Sequence, residues 1–170
     1  KKFINIEFNV YGFDLGDGHP KDDHEDPRNR SYELSIGDYP FTKKKRKHRG
    51  MDFAAKRGTP IYASGNGIIK RADNRSAGFG RHIRIDHGFG YTSLYAHLEK
   101  YNVRRGQKVK RGDLIAYVGN TGRSVAPHLH YEIFKDGKRI NPLNFYYGNL
   151  SPEEYDLLLS QASQENQSMD

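Results

Sequence analysis

Hydrophobic positions in residues 41–147 come in short runs that glycines and polar turn formers separate. Short apolar runs bounded in this way are typical of β-strands. The best strand candidates are residues 61–63, 67–69, 82–85, 91–96 and 114–118. Because many short strands with frequent turns favour a two-layer β architecture, this region predicts a mostly β fold, an antiparallel β-sandwich or open barrel.

The segment His128-Leu129-His130 continues this pattern with a strand that carries chemistry. Side chains at positions i and i+2 of a strand point to the same face. Leu129, Tyr131 and Ile133 therefore form an apolar face, and we predict a half-buried strand with that face in the core. His128 and His130 are then expected to point together into one cleft.

The run from Tyr91 to Leu98 also separates into two faces. One face has Leu94, Ala96 and Leu98, and the other has Tyr91, Ser93, Tyr95 and His97. Since strand side chains alternate, the more polar set is expected to face the cleft. This phase predicts that His97 lies on the polar, cleft-side face.

The chain is predicted to divide into three parts. Residues 1–40 form an N-terminal arm whose centre, residues 16–27, is acidic, rich in turn formers and poor in apolar residues. Residues 41–147 form the catalytic domain, and residues 148–170 form one short helix and a disordered tail. Ser151 followed by Pro152 and Glu154 resembles a capping box that begins this helix. The arm either covers the cleft, with His19 or His24 as an added metal ligand, or packs as a strand beside it.

Composition narrows the function classes. The 170 residues contain no cysteine, so disulfides and thiolate metal sites are excluded. No apolar run is long enough to span a membrane. The net charge of +7 favours polyanions as partners, and we expect no nucleic acid among them. The basic run from Lys43 to Lys47 is interpreted as a solvated loop, with attraction to polyanions as its functional alternative.

Five residues carry the candidate chemistry: His48, Asp52, His97, His128 and His130. Together they supply enough imidazole and carboxylate to bind one zinc ion and leave two histidines free for proton transfer. A catalytic zinc ion takes three protein ligands and keeps one position open for water. The glycine between His48 and Asp52 favours a bent or extended loop over a helix. Spacing alone leaves surface or core histidines as an equal alternative.

The surrounding sequence resembles the lysostaphin-type zinc metallopeptidases that cut bacterial peptidoglycan. The resemblance runs from about His48 to Leu143 and includes several motifs in order. They are His-Arg-Gly-Met-Asp at 48–52, Gly-Thr-Pro-Ile-Tyr-Ala at 58–63, Tyr-Ala-His-Leu at 95–98, Gly-Asn-Thr-Gly-Arg-Ser at 119–124, His-Leu-His-Tyr-Glu at 128–132 and Asn-Pro-Leu at 141–143. One departure is Arg81-His82, where relatives often carry Asn and an aliphatic residue, and we expect it not to touch the site.

The resemblance implies a zinc endopeptidase with one Zn²⁺ per chain. It assigns His48, Asp52 and His130 as metal ligands and His97 and His128 as the catalytic pair. Its implied substrates are peptidoglycan peptides, either D-alanyl cross-links or glycine bridges. It implies action in the bacterial cell envelope or outside the cell, reached with a leader that was removed or is not part of this chain. We expect a monomer.

The two histidines that are not assigned as metal ligands are the candidates for proton transfer. The sequence has no H-E-x-x-H segment, so the carboxylate base of that metallopeptidase class is missing. His97 and His128 are the candidates for base and acid, and which of them has which role is open.

Two other classes of function are alternatives to the enzyme. One is an inactive relative that binds the wall or activates a hydrolase. The other is a biotin or lipoate carrier, but the turn at 119–122 has no lysine to modify.

Overall fold

A computed structural model describes residues 36–38, 45–47, 49–75, 77–145, 152, 153, 156 and 160. These residues contain twelve strands and one 3₁₀ helix. The strands are β1 Ile36–Asp38, β2 Lys45–Lys47, β3 Met51–Ala54, β4 Pro60–Tyr62, β5 Gly67–Asn74, β6 Arg81–Gly88, β7 Tyr91–Ala96, β8 Leu98–Tyr101, β9 Lys108–Val109, β10 Leu114–Val118, β11 His128–Lys135 and β12 Lys138–Ile140. The 3₁₀ helix is Pro142–Phe145. Four of the five predicted strand segments lie wholly within strands, and the fifth, residues 61–63, extends one residue past β4. The predicted mostly β fold is confirmed.

The described strands form three sheets. The largest has the order β12-β11-β7-β6-β5-β9, and β3 also pairs with β11. A second sheet has the order β4-β10-β8, and β1 pairs with β2 in the third. The described strand pairs are antiparallel, and the large sheet does not close on itself. This is the open, antiparallel arrangement that the apolar pattern predicts.

The core lies between the large sheet and the β4-β10-β8 sheet. Ile69, Ile83 and Ile133 come from the large sheet, and Ile61 and Ile115 face them from the smaller one. Each of these five side chains is at most 1% exposed. Burying an aliphatic side chain of this size contributes about 1.5–3 kcal/mol. The two-layer core therefore fixes the position of the strands that carry the candidate site.

Strand β11 pairs with three other strands of the large sheet. It pairs with β7 along one edge and with both β3 and β12 along the other. Leu129, Tyr131 and Ile133 point into the core, as the alternation predicts. The prediction of a half-buried strand is wrong, because the opposite face is also buried. That face carries His130 and Glu132, which are covered by neighbouring polar side chains and not by solvent.

The predicted phase of β7 is also wrong. Tyr95 and Tyr91 belong to the core cluster, so the Tyr-Ser-Tyr set faces the core. This polar set is tolerated there because its hydroxyl groups have partners. The Tyr95 hydroxyl lies 2.7 Å from Ser64 Oγ, and the Tyr131 hydroxyl donates to the same Ser64 Oγ at 2.8 Å. Hydrogen bonding removes most of the cost of burying a polar group.

The two ends of the chain are described only in part. Lys45–Lys47, expected to be a solvated loop, forms β2 against β1. Strand pairing uses backbone groups, so a charged sequence can still form it. Pro152, Glu153, Asp156 and Ser160 are helical, in agreement with the predicted C-terminal helix. The arm before Ile36 and the tail after Ser160 lie outside the described residues.

His87 makes stability depend on pH. Its Nδ1–H donates to the Asn66 carbonyl at 2.7 Å, and its Nε2 lies 2.7 Å from Ser93 Oγ. Burial lowers the pKa of His87 below its usual value near 6.5. The unfolded chain therefore binds more protons than the folded chain just below this pH. The free energy of unfolding should fall as pH decreases from about 6.5 toward the folded-state pKa.

The variant His87→Gln should reduce this pH dependence. Its free energy of unfolding should be lower at pH 8 by about 1–3 kcal/mol, because buried hydrogen bonds are lost. Between pH 6.5 and pH 5 its decline should be shallower than that of the original chain, because one titrating group is gone. Urea denaturation at a series of pH values measures both effects. Identical slopes in the two proteins would contradict this role of His87.

Candidate active site

The pairing of β3 with β11 creates the centre of the site. Asp52 lies directly opposite His130 in the register of the two strands. Residues opposite each other in an antiparallel pair share one face of the sheet, so their side chains meet. His130 Nδ1 lies 2.8 Å from Asp52 Oδ1, and the His130 side chain is only 2% exposed. A contact between residues 78 positions apart thus brings together two of the three predicted metal ligands.

Gly50 makes room for the His130 ring. A Cβ atom at this position would lie 2.6 Å from His130 Cε1 and 2.8 Å from the Tyr131 carbonyl oxygen. Real Cβ atoms essentially never approach other atoms this closely, so a side chain here would displace the ring or the backbone of β11. Gly50 precedes β3 in a bend, and Asp52 is on the strand. The extended conformation expected for this segment is confirmed for the part that is described.

His97 reaches the site by leaving the strand. It follows β7 with φ of +59°, in the left-handed region that non-glycine residues rarely adopt. Its backbone N–H donates to the Phe79 carbonyl at 2.9 Å, which holds this conformation in place. The His97 ring centroid lies 4.7 Å from that of His128 and 5.8 Å from that of His130. His97 was therefore placed correctly beside the other histidines, but by a backbone turn and not by strand alternation.

Backbone carbonyls fix the orientation of both candidate catalytic rings. His97 Nδ1 lies 2.7 Å from the Thr121 carbonyl oxygen, and His128 Nδ1 lies 2.8 Å from the Ala126 carbonyl oxygen. A carbonyl oxygen only accepts, so each Nδ1 carries the proton. In the neutral rings Nε2 then holds the lone pair. His128 Nε2 points toward the ligand pair, 3.8 Å from Asp52 Oδ1.

Thr121 is a supporting residue that the sequence reasoning missed. Its hydroxyl donates to the Leu98 carbonyl at 2.9 Å and accepts from the Arg81 backbone N–H at 3.0 Å. Gly80 packs directly against it, because a Cβ there would lie 2.4 Å from the Thr121 carbonyl carbon. These contacts fix the carbonyl that orients His97. The Gly-Asn-Thr-Gly pattern signalled a turn, but nothing in it pointed to a distant histidine.

Arg81 and His82 were expected not to touch the site. His82 is buried, and its Nδ1 lies 2.9 Å from the Gly80 carbonyl oxygen. Its ring lies 5.9 Å from the Phe79 ring, which in turn lies 5.8 Å from the His130 ring. Burial lowers the pKa of His82, with smaller opposing effects from the Gly80 hydrogen bond and Asp73. His82 therefore supports the site through Phe79, and Arg81 supports it through Thr121.

His48, the third predicted ligand, lies outside the described residues, as do His19 and His24. Within residues 49–75 and 77–145, no group of three or more histidine, aspartate or glutamate side chains is arranged to hold a metal ion. The described donors nevertheless fit zinc chemically. An imidazole nitrogen and a carboxylate oxygen face each other at 2.8 Å, and both are ligand types that zinc prefers. One further ligand beside Asp52 and His130 would complete such a set.

Comparison with known protein families agrees with this geometry. Residues 46–142 match the family described as Peptidase family M23. Because this match covers more than half of the sequence, the chain belongs to that family. The resemblance to lysostaphin-type peptidases is thereby confirmed.

Two curated relatives of this chain are named as peptidoglycan or DD-peptide hydrolases. Peptidoglycan DD-endopeptidase ShyA of Vibrio cholerae is 44% identical over 105 residues, which cover 62% of this chain and 24% of ShyA. DD-carboxypeptidase/endopeptidase Mpg of Neisseria meningitidis is 43% identical over 99 residues, which cover 58% of this chain and 23% of Mpg. The chain thus spans about a quarter of the length of these curated relatives.

Solved structures confirm the fold. The catalytic domain of lysostaphin from Staphylococcus simulans matches with a TM-score of 0.57 and 36% identity, over 64% of this chain and 86% of that domain. A zinc-containing peptidase from Vibrio cholerae matches with a TM-score of 0.56 and 35% identity, over 67% of this chain and 32% of that chain. The chain therefore belongs to a peptidase family whose relatives include peptidoglycan endopeptidases.

The close packing of Gly50 against His130 predicts a specific coupling. Gly50→Ala should lower the free energy of unfolding by about 1–3 kcal/mol, because the added methyl group overpacks the site. In a His130→Ala background the same change should cost less, since the ring is gone. Urea denaturation of the four proteins measures this coupling as a double-mutant cycle.

Gly106→Ala is the matched control for this cycle. Gly106 has φ of +85° and no atom within 4 Å of a Cβ, so its cost comes from backbone strain alone. That cost should be the same with and without His130. A Gly50→Ala cost that is equally independent of His130 would show that the two residues are not packed as described.

Proposed function

We propose that this chain is a zinc-dependent endopeptidase that hydrolyses peptide bonds in bacterial peptidoglycan, in stem peptides or their cross-links. The observation that carries the proposal is the convergence of Asp52 and His130 with His97 and His128 in one buried cluster. Membership of Peptidase family M23 and the relatives named peptidoglycan endopeptidases support it. The proposed reaction takes place in the bacterial cell envelope or outside the cell. In the part of the chain that is described, no helix is long and apolar enough to cross a membrane.

His48, Asp52 and His130 are the residues that would hold the zinc ion. When bound, zinc supplies a Lewis acid that polarises a peptide carbonyl and lowers the pKa of a water molecule. Two neutral imidazoles and one carboxylate leave the ion with a net positive charge, which favours both effects. The buried position of His130 keeps this charge away from bulk solvent.

His97 and His128 divide the proton transfers. Each ring is held through Nδ1–H by a backbone carbonyl, so Nε2 is the atom that exchanges protons. Nε2 of one ring accepts a proton from the attacking water. Nε2–H of the other ring donates a proton to the leaving amine, and as an imidazolium it also stabilises negative charge on the former carbonyl oxygen.

A basic surface at the β9 edge of the large sheet supports a contact with the cell wall outside the candidate active site. The exposed cations there are Arg104, Arg105, Lys108, Lys110 and Arg111. None of the five forms an ion pair with another described residue. Strand β9, which carries Lys108, is separated from β11 by β5, β6 and β7. Anionic wall polymers would be attracted to this surface without occupying the cleft.

Digestion of purified peptidoglycan tests the proposed reaction. The zinc-loaded chain should release fragments whose new amino and carboxyl termini identify the bond, D-alanyl cross-link or glycine bridge, by mass spectrometry. His97→Ala and His128→Ala should keep zinc and lose about 100-fold or more in rate, a typical acid–base contribution. Near-normal rates in both variants would overturn the assigned pair. A zinc-loaded original chain that releases no fragments would favour an inactive, wall-binding relative.

Zinc retention tests the ligand set separately. The folded chain should bind one zinc ion, and His130→Ala should lose most of it, because two protein ligands rarely hold zinc tightly. His87→Gln is the matched control, since it removes a buried histidine of the same sheet that lies away from Asp52. Elemental analysis after dialysis gives the zinc content of each protein. Full occupancy in His130→Ala would show that His130 is not a ligand.

A further inference from the structure

A buried carboxylate, Glu132, lies beside His130 and was not among the predicted site residues. It is two positions further along β11, on the same face of the sheet, and is 2% exposed. Its Oε1 lies 3.2 Å from His130 Nε2. The His130 ring is therefore in contact with Asp52 through Nδ1 and with Glu132 through Nε2.

Arg139 holds Glu132 in place. Its Nε donates to Glu132 Oε2 at 2.9 Å, from β12 on the edge of β11 opposite β7. The Arg139 guanidinium also lies over the Phe134 ring, 5.1 Å from its centroid. A buried carboxylate is costly unless it is paired, so this ion pair fixes both Glu132 and the direction of its second oxygen. One carboxylate oxygen thus faces a cation and the other faces an imidazole.

Arg84 adds a second positive group to the same pocket. Its guanidinium lies 4.8 Å from the Phe134 centroid, and its Nε is buried without a hydrogen-bond partner among the described residues. Burial lowers the pKa of Arg84, and the nearby Glu132 charge opposes that shift. The Glu132 carboxylate is thus paired with the Arg139 guanidinium and has the Arg84 guanidinium nearby. A carboxylate oxygen accepts hydrogen bonds, so Oε1 is an acceptor beside the His130 ring.

An acceptor at Nε2 decides which nitrogen of His130 is available to a metal. Because the Glu132 carboxylate accepts at Nε2, it favours a proton on that nitrogen, while Asp52 accepts at Nδ1. Nδ1 then presents its lone pair toward Asp52 when a metal replaces the proton between them. Histidine ligands of metals generally donate their other N–H to a carboxylate or carbonyl, which fixes the ring and makes it a better ligand.

We infer that Glu132 is a positioning residue that fixes the tautomer and orientation of His130 for metal binding, and that Arg139 positions Glu132. The inference rests on the proposed zinc function. Zinc binding would then depend on Glu132 as well as on the ligands. Without Glu132, His130 would carry its proton on Nδ1 for part of the time, and Nδ1 would then be unable to bind the metal. Glu132 has no contact with the reacting atoms in this account.

Glu132→Gln tests this role with an uncharged side chain of nearly the same shape. An amide can face Arg139 with its oxygen, but it then turns its NH₂ group toward His130 Nε2 and favours the tautomer with the proton on Nδ1. Zinc affinity, measured by competition with a chelator, should fall about 10- to 100-fold. Nitrogen NMR of the metal-free histidine-labelled chain should show a proton on His130 Nε2 in the original chain, and in the variant a shift toward the form with the proton on Nδ1 alone, where Asp52 accepts it. Glu99→Gln, at a carboxylate paired with exposed Arg57, is the matched control and should change neither measurement.

The outcomes separate this inference from the proposed function. If the original chain binds no zinc at the His130 site, the proposed function fails. If it binds zinc and Glu132→Gln changes neither affinity nor tautomer, only the role of Glu132 is overturned. Should Glu132→Gln not fold, Arg139→Gln takes its place, because it leaves the carboxylate but removes its anchor. That variant should weaken zinc binding several-fold, and unchanged affinity and tautomer would overturn the inference.

Discussion

The contact between Asp52 and His130 is the interaction on which the rest of the site depends. It exists because β3 pairs with β11 in a register that sets the two residues opposite each other. A shift of β3 by one residue would turn Asp52 to the other face of the sheet, away from His130. The absence of a side chain at Gly50 allows the ring to occupy its position. The apolar core between the sheets holds this register, so packing far from the site determines its geometry.

Around that contact, each histidine is held by an acceptor at one ring nitrogen. Carbonyl oxygens of Thr121 and Ala126 hold His97 and His128 through Nδ1, and Glu132 contacts His130 through Nε2. The ring nitrogen left for chemistry therefore differs among the three histidines. In the proposed mechanism His97 and His128 would use Nε2 for proton transfer, whereas His130 would bind zinc through Nδ1. Hydrogen bonds to neighbouring acceptors would thus give one residue type two different functions.

Much of this arrangement could be predicted from sequence where it follows strand periodicity. The i, i+2 spacing correctly placed His128 and His130 on one face of β11, and short apolar runs located five of the strands. The predictions were wrong where tertiary contacts override periodicity. Tyr95 is tolerated on the core side because its hydroxyl group bonds Ser64 Oγ and accepts from the Ser64 backbone N–H. No alternation rule could anticipate such a distant partner.

The features that sequence could not supply depend on backbone geometry and long-range pairing. The positive φ of His97 arises from a contact with Phe79, and no local pattern signals it. Glu132 appeared in the quoted His-Leu-His-Tyr-Glu motif, but its role is visible only once Arg139 is seen beside it. A carboxylate near the end of a strand looks solvent-exposed until the sheet that buries it is known.

Anomalous diffraction at the zinc edge, from crystals of the zinc-loaded chain, tests the central claim most directly. One zinc ion should be bound to Nδ1 of His130 and to the carboxylate of Asp52, with Nε2 of His130 still donating to Glu132. A zinc ion bound through Nε2 of His130, or bound away from Asp52, would contradict it.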